Sequence, residues 1–208
     1  WLLRLPAGLT DAEATPINCG VATMCAVIEA AEIRIGDTVV IQGLGLLGLY
    51  GAALAKARGA GRVIGIDRVA ARRLLAQRFG VDAAVDPENV PKIERGADVV
   101  IEVCGDPAVL AAGLDCLRVG GRYVLAGLVS PGARVDFDAN LIVRKLITMT
   151  GVHNYHPRHL VQALDFVVAQ RTHYPFDELV DGIYPLAEVD RAMADAAACR
   201  VLRAAIVP

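Results

Sequence analysis

Short apolar runs rich in Val and Ile alternate along the chain with segments of helical spacing. Six of these runs have the length and composition of strands, at 38–43, 62–67, 83–86, 98–103, 122–127 and 146–151. They are apolar throughout, as strands must be in a sheet that helices cover on both faces. The segments between them predict helices at about 47–58, 69–79, 107–117 and 138–145. The pattern therefore predicts an α/β fold with a doubly wound, parallel six-stranded sheet.

The segments outside this region predict further elements. They are a helix at about 11–30, a helix near 158–170, a strand-like piece at 178–184, a helix near 187–197 and a last strand at 201–207. Gly59, Gly80 and Gly120 are expected to end the first three helices between the strands. We expect three parts: an N-terminal helix and junction (1–30), a nucleotide-binding domain (31–156) and a C-terminal segment (157–208).

Charge and hydropathy narrow the classes of partner. The formal net charge is −2 and no basic run occurs, which argues against nucleic acid and anionic membranes and favours a small molecule. Residues 38–55 carry no charge over eighteen positions, about the minimum for a transmembrane helix. Four glycines and a β-branched start instead indicate a buried strand, turn and helix there.

The cysteines indicate the compartment. The five cysteines, 19, 25, 104, 116 and 199, are widely spaced and form no C-x-x-C pair. Such usage is typical of a reducing, cytoplasmic environment. The first residues have neither a signal peptide nor an initiator Met, so we expect the chain to be a piece of a longer protein.

A glycine motif follows the first predicted strand. In TVVIQGLGLLG, the glycines at 43, 45 and 48 form G-x-G-x-x-G between a strand and a helix. Gly43 permits a tight turn, Gly45 lets a pyrophosphate approach the backbone, and Gly48 lets the helix pack on the strand. The N–H groups and positive dipole of the helix then face the phosphates. The motif predicts a Rossmann dinucleotide-binding domain.

Asp67 ends the second predicted strand, nineteen positions after Gly48. A carboxylate there accepts the ribose hydroxyls and repels a 2′-phosphate, which favours NAD over NADP. Two alternatives remain open. Asp67 could be the N-cap of the next helix, and Arg68 or Arg72 could accept the 2′-phosphate of NADP instead of being solvated surface charges.

Several further motifs point to a known family. INCGVAT, GDTVVIQGLGLLG, GADVVIEVCG, LRVGGRYVLAG and PLAEVDRAMADA run over nearly all of the chain. With them the chain resembles the nucleotide-binding part of the zinc-containing medium-chain alcohol dehydrogenases. GVHNYHPRHL resembles a branch of this family that is associated with phosphonate breakdown. The resemblance implies that both ends of the chain are remnants of a GroES-like catalytic domain.

The resemblance implies a zinc ligand. In the family, a separate N-terminal domain supplies two ligands of the catalytic zinc, and Cys19 falls on the position of the third. A catalytic zinc keeps three protein ligands and one open place, so Cys19 alone cannot hold it. Spacing alone favours a buried, apolar role for Cys19. The other four cysteines match no ligand position and are expected in the core.

Five further positions carry over from the resemblance. Thr23 would face the nicotinamide, Leu47 would pack beside it, and Arg203 would reach the pyrophosphate. Bidentate contacts make a guanidinium suited to phosphate, although an ordinary surface Arg is an equal alternative. Ala126 and Gly127, at the end of the fifth strand, would present backbone groups to the nicotinamide carboxamide.

Three histidines cluster after the sixth strand, at 153, 156 and 159. Such clusters can bind metal or relay protons. Pro157 lies between His156 and His159 and is expected to begin a helix, so the three need not share a face. We expect His153 and Asn154 to neighbour cofactor or substrate, with ordinary loop residues as the alternative.

These features predict an NAD-dependent oxidoreductase that transfers hydride between an alcohol or carbonyl compound and nicotinamide, with zinc lowering the pKa of the alcohol. Alone, the chain is expected to bind NAD without turnover. A non-catalytic NAD-binding module and a zinc-free NADPH quinone or enoyl reductase are the alternatives. The apolar sixth strand predicts a homodimer or homotetramer.

Overall fold

The computed structural model describes residues 2–208; Trp1, which begins the predicted segment 1–30, lies outside them. The six apolar runs form β1 (Thr38–Gln42), β2 (Arg62–Ile66), β3 (Ala83–Val85), β4 (Ala97–Glu102), β5 (Leu117–Leu125) and β6 (Thr148–Gly151). They build one parallel sheet in the order β3-β2-β1-β4-β5-β6. The predicted Rossmann topology is confirmed. The strand order reverses between β1 and β4, which opens a crevice at their carboxyl ends.

The helices are α1 (Asp11–Ala14), α2 (Ala22–Ala30), α3 (Leu46–Ala57), α4 (Ala70–Ala76), α5 (Val109–Cys116), α6 (Ala139–Lys145), α7 (Pro157–Gln170) and α8 (Val189–Ala197). The four helices predicted between the strands are confirmed within a few residues. Both faces of the sheet are covered: in β1, Val39 and Ile41 belong to one buried cluster and Val40 to the other. All three are fully buried, which explains why successive positions in the middle of the strand are apolar.

The single helix predicted at 11–30 is wrong in its middle. The chain forms α1, then a π-helical turn at Ile17–Val21, then α2. Pro16 precedes the π turn and has no N–H for a helical hydrogen bond, so the regular pattern stops there. A π turn widens the helix by one residue and changes the direction of its side chains, which here include Cys19.

The glycine stops are confirmed at two of three positions. Gly59 has φ +97° after α3, and Gly80 has φ +84° after the 3-10 turn that follows α4. Gly120 does not end a helix: α5 passes directly into β5, and Gly120 lies inside that strand with φ +73°. Its left-handed backbone belongs to an irregular stretch where four residues, 118–121, face one residue of β4.

The C-terminal segment packs on helices. α7 lies against α2, and the ring of Phe176 stacks on Tyr50 of α3 with centroids 5.0 Å apart. β7 (Gly182–Pro185) and β8 (Ala204–Val207) form a separate parallel pair connected through α8. The predicted strand at 178–184 therefore begins only at Gly182, because a 3-10 turn occupies Phe176–Leu179. The division at 30 and 156, and the GroES-like origin of both ends, stay predictions.

One connection of the sheet lacks a helix. Residues 86–96 join β3 to β4 and contain only the 3-10 turn Pro87–Asn89. Parallel strands are usually connected through a helix that covers the sheet. Here Val90 and Ile93 partly cover that face instead. None of the helices in residues 2–208 is both long enough and apolar enough to span a bilayer.

Candidate cofactor site

The glycine motif forms a tight loop between β1 and α3. Gly43 has φ +99°, and its N–H donates to Ile66 O over 2.8 Å. A Cβ built on Gly48 would lie 1.9 Å from Gly43 O, so only glycine permits this contact between helix and loop. Gly45 is the N-cap of α3, and no side chain of the described residues caps that end. The first N–H groups of α3 therefore face the crevice, as phosphate binding requires.

Asp67 connects the end of β2 to this loop. Its Oδ2 accepts the main-chain N–H of Leu44 over 2.7 Å, and its Oδ1 accepts that of Val69 over 2.8 Å. The N-cap of α4 is Val69, so Asp67 is not the helix cap of the alternative interpretation. A carboxylate has about four acceptor positions, so about two remain for ribose hydroxyls.

Two arginines lie beside Asp67. The Nη1 atom of Arg72 is 3.9 Å from Asp67 Oδ2 and 3.9 Å from the position of a Cβ built on Gly45. Arg72 is half-buried, whereas Arg68 is exposed. Arg72 thus lies between the glycine loop and the Asp67 carboxylate, and its role toward a 2′-phosphate stays a prediction.

A cavity of about 1030 Å³ lies over the loop and Asp67. It extends between the helix-free connection 87–96 and α5. Five of the predicted site residues line it: Gly43, Gly45, Asp67, Arg68 and Arg72. Its volume is in the range of small-molecule and cofactor sites. The sequence-predicted phosphate and ribose residues are thus assembled at one cavity.

The π turn brings a second group of predicted residues to the start of α3. A Cβ built on Gly20 would lie 3.5 Å from Leu46 Cδ2 and 3.7 Å from Leu47 Cδ2. Cys19 precedes Gly20 and is exposed, and Thr23 is half-buried in the first turn of α2. Cys19 is therefore not the buried apolar residue that spacing alone favoured. The roles of Cys19, Thr23 and Leu47 toward zinc and nicotinamide stay predictions.

The described residues do not form a zinc site by themselves. A catalytic zinc needs three protein ligands. Residues 2–208 contain no group of three His, Cys, Asp or Glu side chains placed to hold a metal ion. Cys19 offers one exposed thiol, and its role as one ligand of a larger set stays a prediction.

The ends of β4 and β5 are connected by Glu102, which sequence reasoning missed. Glu102 is fully buried, and its carboxylate accepts the N–H groups of Gly105 and Gly127. The N–H groups of Ala126 and Gly127 also donate to Glu102 O over 3.0 and 3.1 Å. Because these N–H groups are engaged, a ligand at the end of β5 would meet carbonyl oxygens. The signal in the sequence was one acidic residue inside the apolar run VVIEV.

A second buried polar pair connects β1 to β5. Tyr123 OH donates to Gln42 Oε1 over 2.5 Å, and Gln42 Nε2 donates to Val109 O over 2.9 Å. Burial raises the pKa of the Tyr123 phenol well above its ordinary value. The hydroxyl therefore stays protonated and serves as a hydrogen-bond donor within the core.

The three histidines have separate positions. His156 is the N-cap of α7 and donates its main-chain N–H to Nδ1 of His159 over 3.0 Å. His159 is buried, and its Nε2 lies 3.1 Å from Glu29 Oε2. These two side chains stabilise the start of α7 and its packing on α2 rather than forming a metal site. His153 is exposed after β6, and Asn154 follows it with φ +61°; their contact with ligand stays a prediction.

The remaining cysteines divide into two groups. Cys25 is buried and Cys116 half-buried, but Cys104 and Cys199 are exposed, so the prediction that all four are core residues is wrong. Burial raises the pKa of the Cys25 thiol to about 11. Cys199, with φ +53° after α8, lines the cavity together with Cys104.

Arg203 follows shortly after Cys199 and is half-buried. The main-chain N–H groups of Leu202 and Arg203 donate to Asp181 Oδ1, which fixes the backbone before β8. Cys199, four positions before Arg203, lines the cavity, but Arg203 is not among the described residues that line it. Its contact with the pyrophosphate stays a prediction.

Comparison with known proteins agrees with this geometry. The sequence profile of the family described as zinc-binding dehydrogenase matches residues 47–169. A sorbitol dehydrogenase of Halalkalibacterium halodurans is 31% identical over 203 residues, which cover 92% of this chain and 57% of that protein. The chain thus spans little more than half the length of this curated relative.

Comparison with solved structures also finds dehydrogenases. An alcohol dehydrogenase of Thermotoga maritima superposes with a TM-score of 0.91 at 29% identity, covering 99% of this chain and 60% of the other. A zinc-binding dehydrogenase of Sinorhizobium meliloti 1021, determined with NADP bound, superposes with a TM-score of 0.89 at 25% identity, covering 99% and 62%. The chain belongs to the zinc-binding dehydrogenase family, among the zinc-containing medium-chain alcohol dehydrogenases.

Proposed function

We propose that the chain binds NAD at the β1–β4 crevice and serves hydride transfer between an alcohol or carbonyl substrate and the nicotinamide. The observation that carries this proposal is the Asp67 carboxylate, which accepts Leu44 N–H beside the uncapped start of α3. One small site thus presents a ribose acceptor and phosphate donors together. When bound, the nicotinamide supplies the hydride acceptor or donor.

The chain's own contribution is binding and orientation. The N–H groups at the start of α3 hold the pyrophosphate, Asp67 accepts the ribose hydroxyls, and the buried loop packing keeps the two sites in register. Because the described residues do not assemble a metal site, we assign no metal step to them. Membership in the family supports the dehydrogenase assignment.

NADP is the second candidate cofactor, because Arg72 lies 3.9 Å from Asp67. A guanidinium at this position can pair with a 2′-phosphate. We favour NAD because the Asp67 carboxylate lies closer to the loop, being hydrogen-bonded to it, and would repel that phosphate.

We also propose that the chain forms a homo-oligomer, packs against a further domain and works in the cytoplasm. β6 pairs with β5 alone among the described strands, and the nearby Val143 and Leu146 are 71% and 70% exposed, which supports a homodimer or homotetramer through this edge.

Ile183 and Met193 in the 157–208 segment are 65% and 68% exposed, which supports packing of this segment on a further domain. Five free thiols support a reducing compartment.

Calorimetric titration of the 208-residue chain with NADH and NADPH tests the cofactor assignment. We expect NADH to bind more tightly, and Asp67→Ala to weaken NADH binding and remove the preference. Asp165→Ala, an exposed carboxylate on α7, is the matched control and should change neither affinity. Tighter binding of NADPH by the unaltered chain would show that NADP is the cofactor, with Arg72 as the partner of its 2′-phosphate. Binding of neither nucleotide would refute the proposed function.

A further inference from the structure

A buried carboxylate lies at the carboxyl end of β4. Glu102 is fully buried, and its oxygens contact no Lys, Arg or His side chain in the salt bridges of residues 2–208. Burying a charged or polar group is costly unless hydrogen bonds compensate. Val100 and Ile101 just before it are apolar and equally buried, so the strand itself has no need of an acid here. The carboxylate is therefore explained by its two main-chain acceptor contacts, with the Cys104 thiol as a further side-chain neighbour.

Those contacts join two loops. Glu102 Oε1 accepts the N–H of Gly105 over 2.6 Å, in the loop that follows β4. Glu102 Oε2 accepts the N–H of Gly127 over 3.0 Å, in the loop that follows β5. Each oxygen thus holds a different loop, and the side chain sets the spacing between them.

The loops are packed as closely as their backbones permit. A Cβ built on Gly127 would lie 2.4 Å from Glu102 Oε1 and 2.6 Å from Gly105 N. A Cβ built on Gly105, which has φ +74°, would lie 2.9 Å from Gly127 O. Both positions require glycine, and the carboxylate lies in the space that side chains at these positions would fill. The arrangement is therefore specific to an acid with two main-chain donors.

The position of these loops relative to Asp67 indicates their role. A dinucleotide lies across the crevice with one half on each side of the strand reversal. Asp67, on the β2 side, is the acceptor for the adenosine ribose, so the nicotinamide half extends over β4 and β5. The two loops that Glu102 holds follow directly after β4 and β5. The N–H groups of Ala126 and Gly127 already donate to Glu102, and Gly127 O accepts the N–H of Val129 over 2.8 Å. The Ala126 carbonyl is therefore the group that can accept the carboxamide N–H₂.

We propose that Glu102 is a positioning residue for the nicotinamide half of the cofactor, acting through Gly105 and Gly127 rather than by contact. The inference rests on the proposed dinucleotide function and adds that different residues position the two halves of the cofactor. Asp67 and the start of α3 bind the adenosine diphosphate part, and Glu102 fixes the loops that receive the nicotinamide. Loss of Glu102 would loosen one half of the site and leave the other intact.

The experiment compares NADH with ADP-ribose, which lacks the nicotinamide. In Glu102→Gln, the side-chain N–H₂ would face the N–H of one loop, so that hydrogen bond is lost while volume is kept. We expect about tenfold weaker NADH binding by calorimetry, loss of the fluorescence enhancement of bound NADH, and ADP-ribose affinity within about twofold of the unaltered chain. Circular dichroism and thermal unfolding establish that the variant is folded.

Two further variants make the result decisive. Gly127→Ala should give the same selective loss by pushing the loops apart, and it replaces Glu102→Gln if that variant does not fold. Asp37→Asn is the matched control: Asp37 is a buried carboxylate paired with Arg122 just before β1, at the opposite end of the sheet. This variant should lower stability without changing the ratio of the two affinities.

Each outcome bears on a different claim. Equal weakening of NADH and ADP-ribose in Glu102→Gln, or unchanged binding of both, would overturn the positioning role while leaving the proposed function standing. Equal affinity of the unaltered chain for the two ligands would also overturn it, because the nicotinamide would then contribute no binding. Binding of neither ligand by the unaltered chain would overturn the proposed function, and this inference with it.

Discussion

The main-chain N–H of Leu44 donates a 2.7 Å hydrogen bond to Oδ2 of Asp67, 23 residues further along the chain. Leu44 lies between the first two glycines of the phosphate loop, and Asp67 ends the neighbouring strand. In the proposed function, the residue that receives the ribose therefore also holds the loop that receives the phosphates. A change at Asp67 must alter both contacts at once.

Asp67→Asn is expected to weaken ADP-ribose and NADH binding by the same factor. Both carboxylate oxygens accept main-chain N–H groups, so the amide N–H₂ of Asn would face one of these donors. The buried donor left without a partner should cost about 1–3 kcal/mol of folding free energy, measured by urea denaturation. A selective loss of NADH binding would contradict this prediction, since both ligands carry the same ribose.

Gly48→Ala is expected to reduce stability sharply and to abolish nucleotide binding. Its Cβ would lie 1.9 Å from Gly43 O, a main-chain atom that cannot move without displacing the loop. Overpacking of this kind costs about 1–3 kcal/mol or more, which urea denaturation would show. Gly151→Ala is the matched control, because a Cβ there meets no atom within 4 Å. Near-equal stability of the two variants would contradict the prediction.

Alkylation of Cys104 is expected to be slow at neutral pH and to accelerate with pH. Burial raises the pKa of this thiol to about 11, although part of the residue is exposed at the cavity. At pH 8 only about one thousandth is thiolate, so the rate of reaction with iodoacetamide should rise about tenfold per pH unit up to pH 10. Mass spectrometry of the labelled peptide measures this rate, with buried Cys25 as the unlabelled control. Saturating NADH should slow the reaction. A rate of alkylation that does not change with pH would contradict the raised pKa of the Cys104 thiol.

Protonation of Asp98 is expected to contribute to acid unfolding. Burial raises the pKa of this carboxyl, but hydrogen bonds from Thr38 N–H and the Arg118 guanidinium outweigh burial and hold the pKa below its ordinary value of 3.8. The folded state then binds fewer protons than the unfolded state, so this contribution is present above the unfolded pKa and is lost as pH falls through the folded pKa.

Urea denaturation at several pH values tests this contribution. Asp98→Asn should be less stable than the unaltered chain by about 1–3 kcal/mol at pH 7, and the difference should shrink between about pH 5 and pH 3. The exposed Asp165→Asn should show no such convergence. A constant difference across this pH range would exclude Asp98 as a contributor.

Local patterns in the sequence sufficed for most of the sheet and for half of the proposed site. Continuous apolar runs are specific to strands buried on both faces, so β1 and β4 were predicted nearly to the residue. The glycine spacing and Asp67 are local too, because one strand, turn and helix carry them. The second half of the site depends on contacts between distant segments. Glu102 meets Gly127 across 25 positions, and no short motif records that pairing.

The wrong predictions have the same origin. Gly120 has the sequence of a helix stop, but its neighbours Arg118 and Asp98 pair across two strands and make it part of an irregular strand. The histidines follow the same rule, although they are no wrong prediction: Pro157 between His156 and His159 already argued against a shared face. Their nitrogens cap α7 and meet Glu29, 130 residues away from His159. Residue type suggested chemistry in these cases, and tertiary contacts decided the structural role.

The helix-free connection between β3 and β4 also has a consequence for motion. Local opening is easiest where few buried contacts and few backbone hydrogen bonds hold a segment, and amide hydrogen exchange reports it. Residues 86–96 contain one short turn, and they form one wall of the cavity that faces Asp67. Their amides should exchange rapidly in the free chain and become protected when the adenosine part of a nucleotide binds. Nucleotide binding would then be coupled to ordering of this wall, so the affinity would include the entropy lost by eleven residues as well as the contacts they gain.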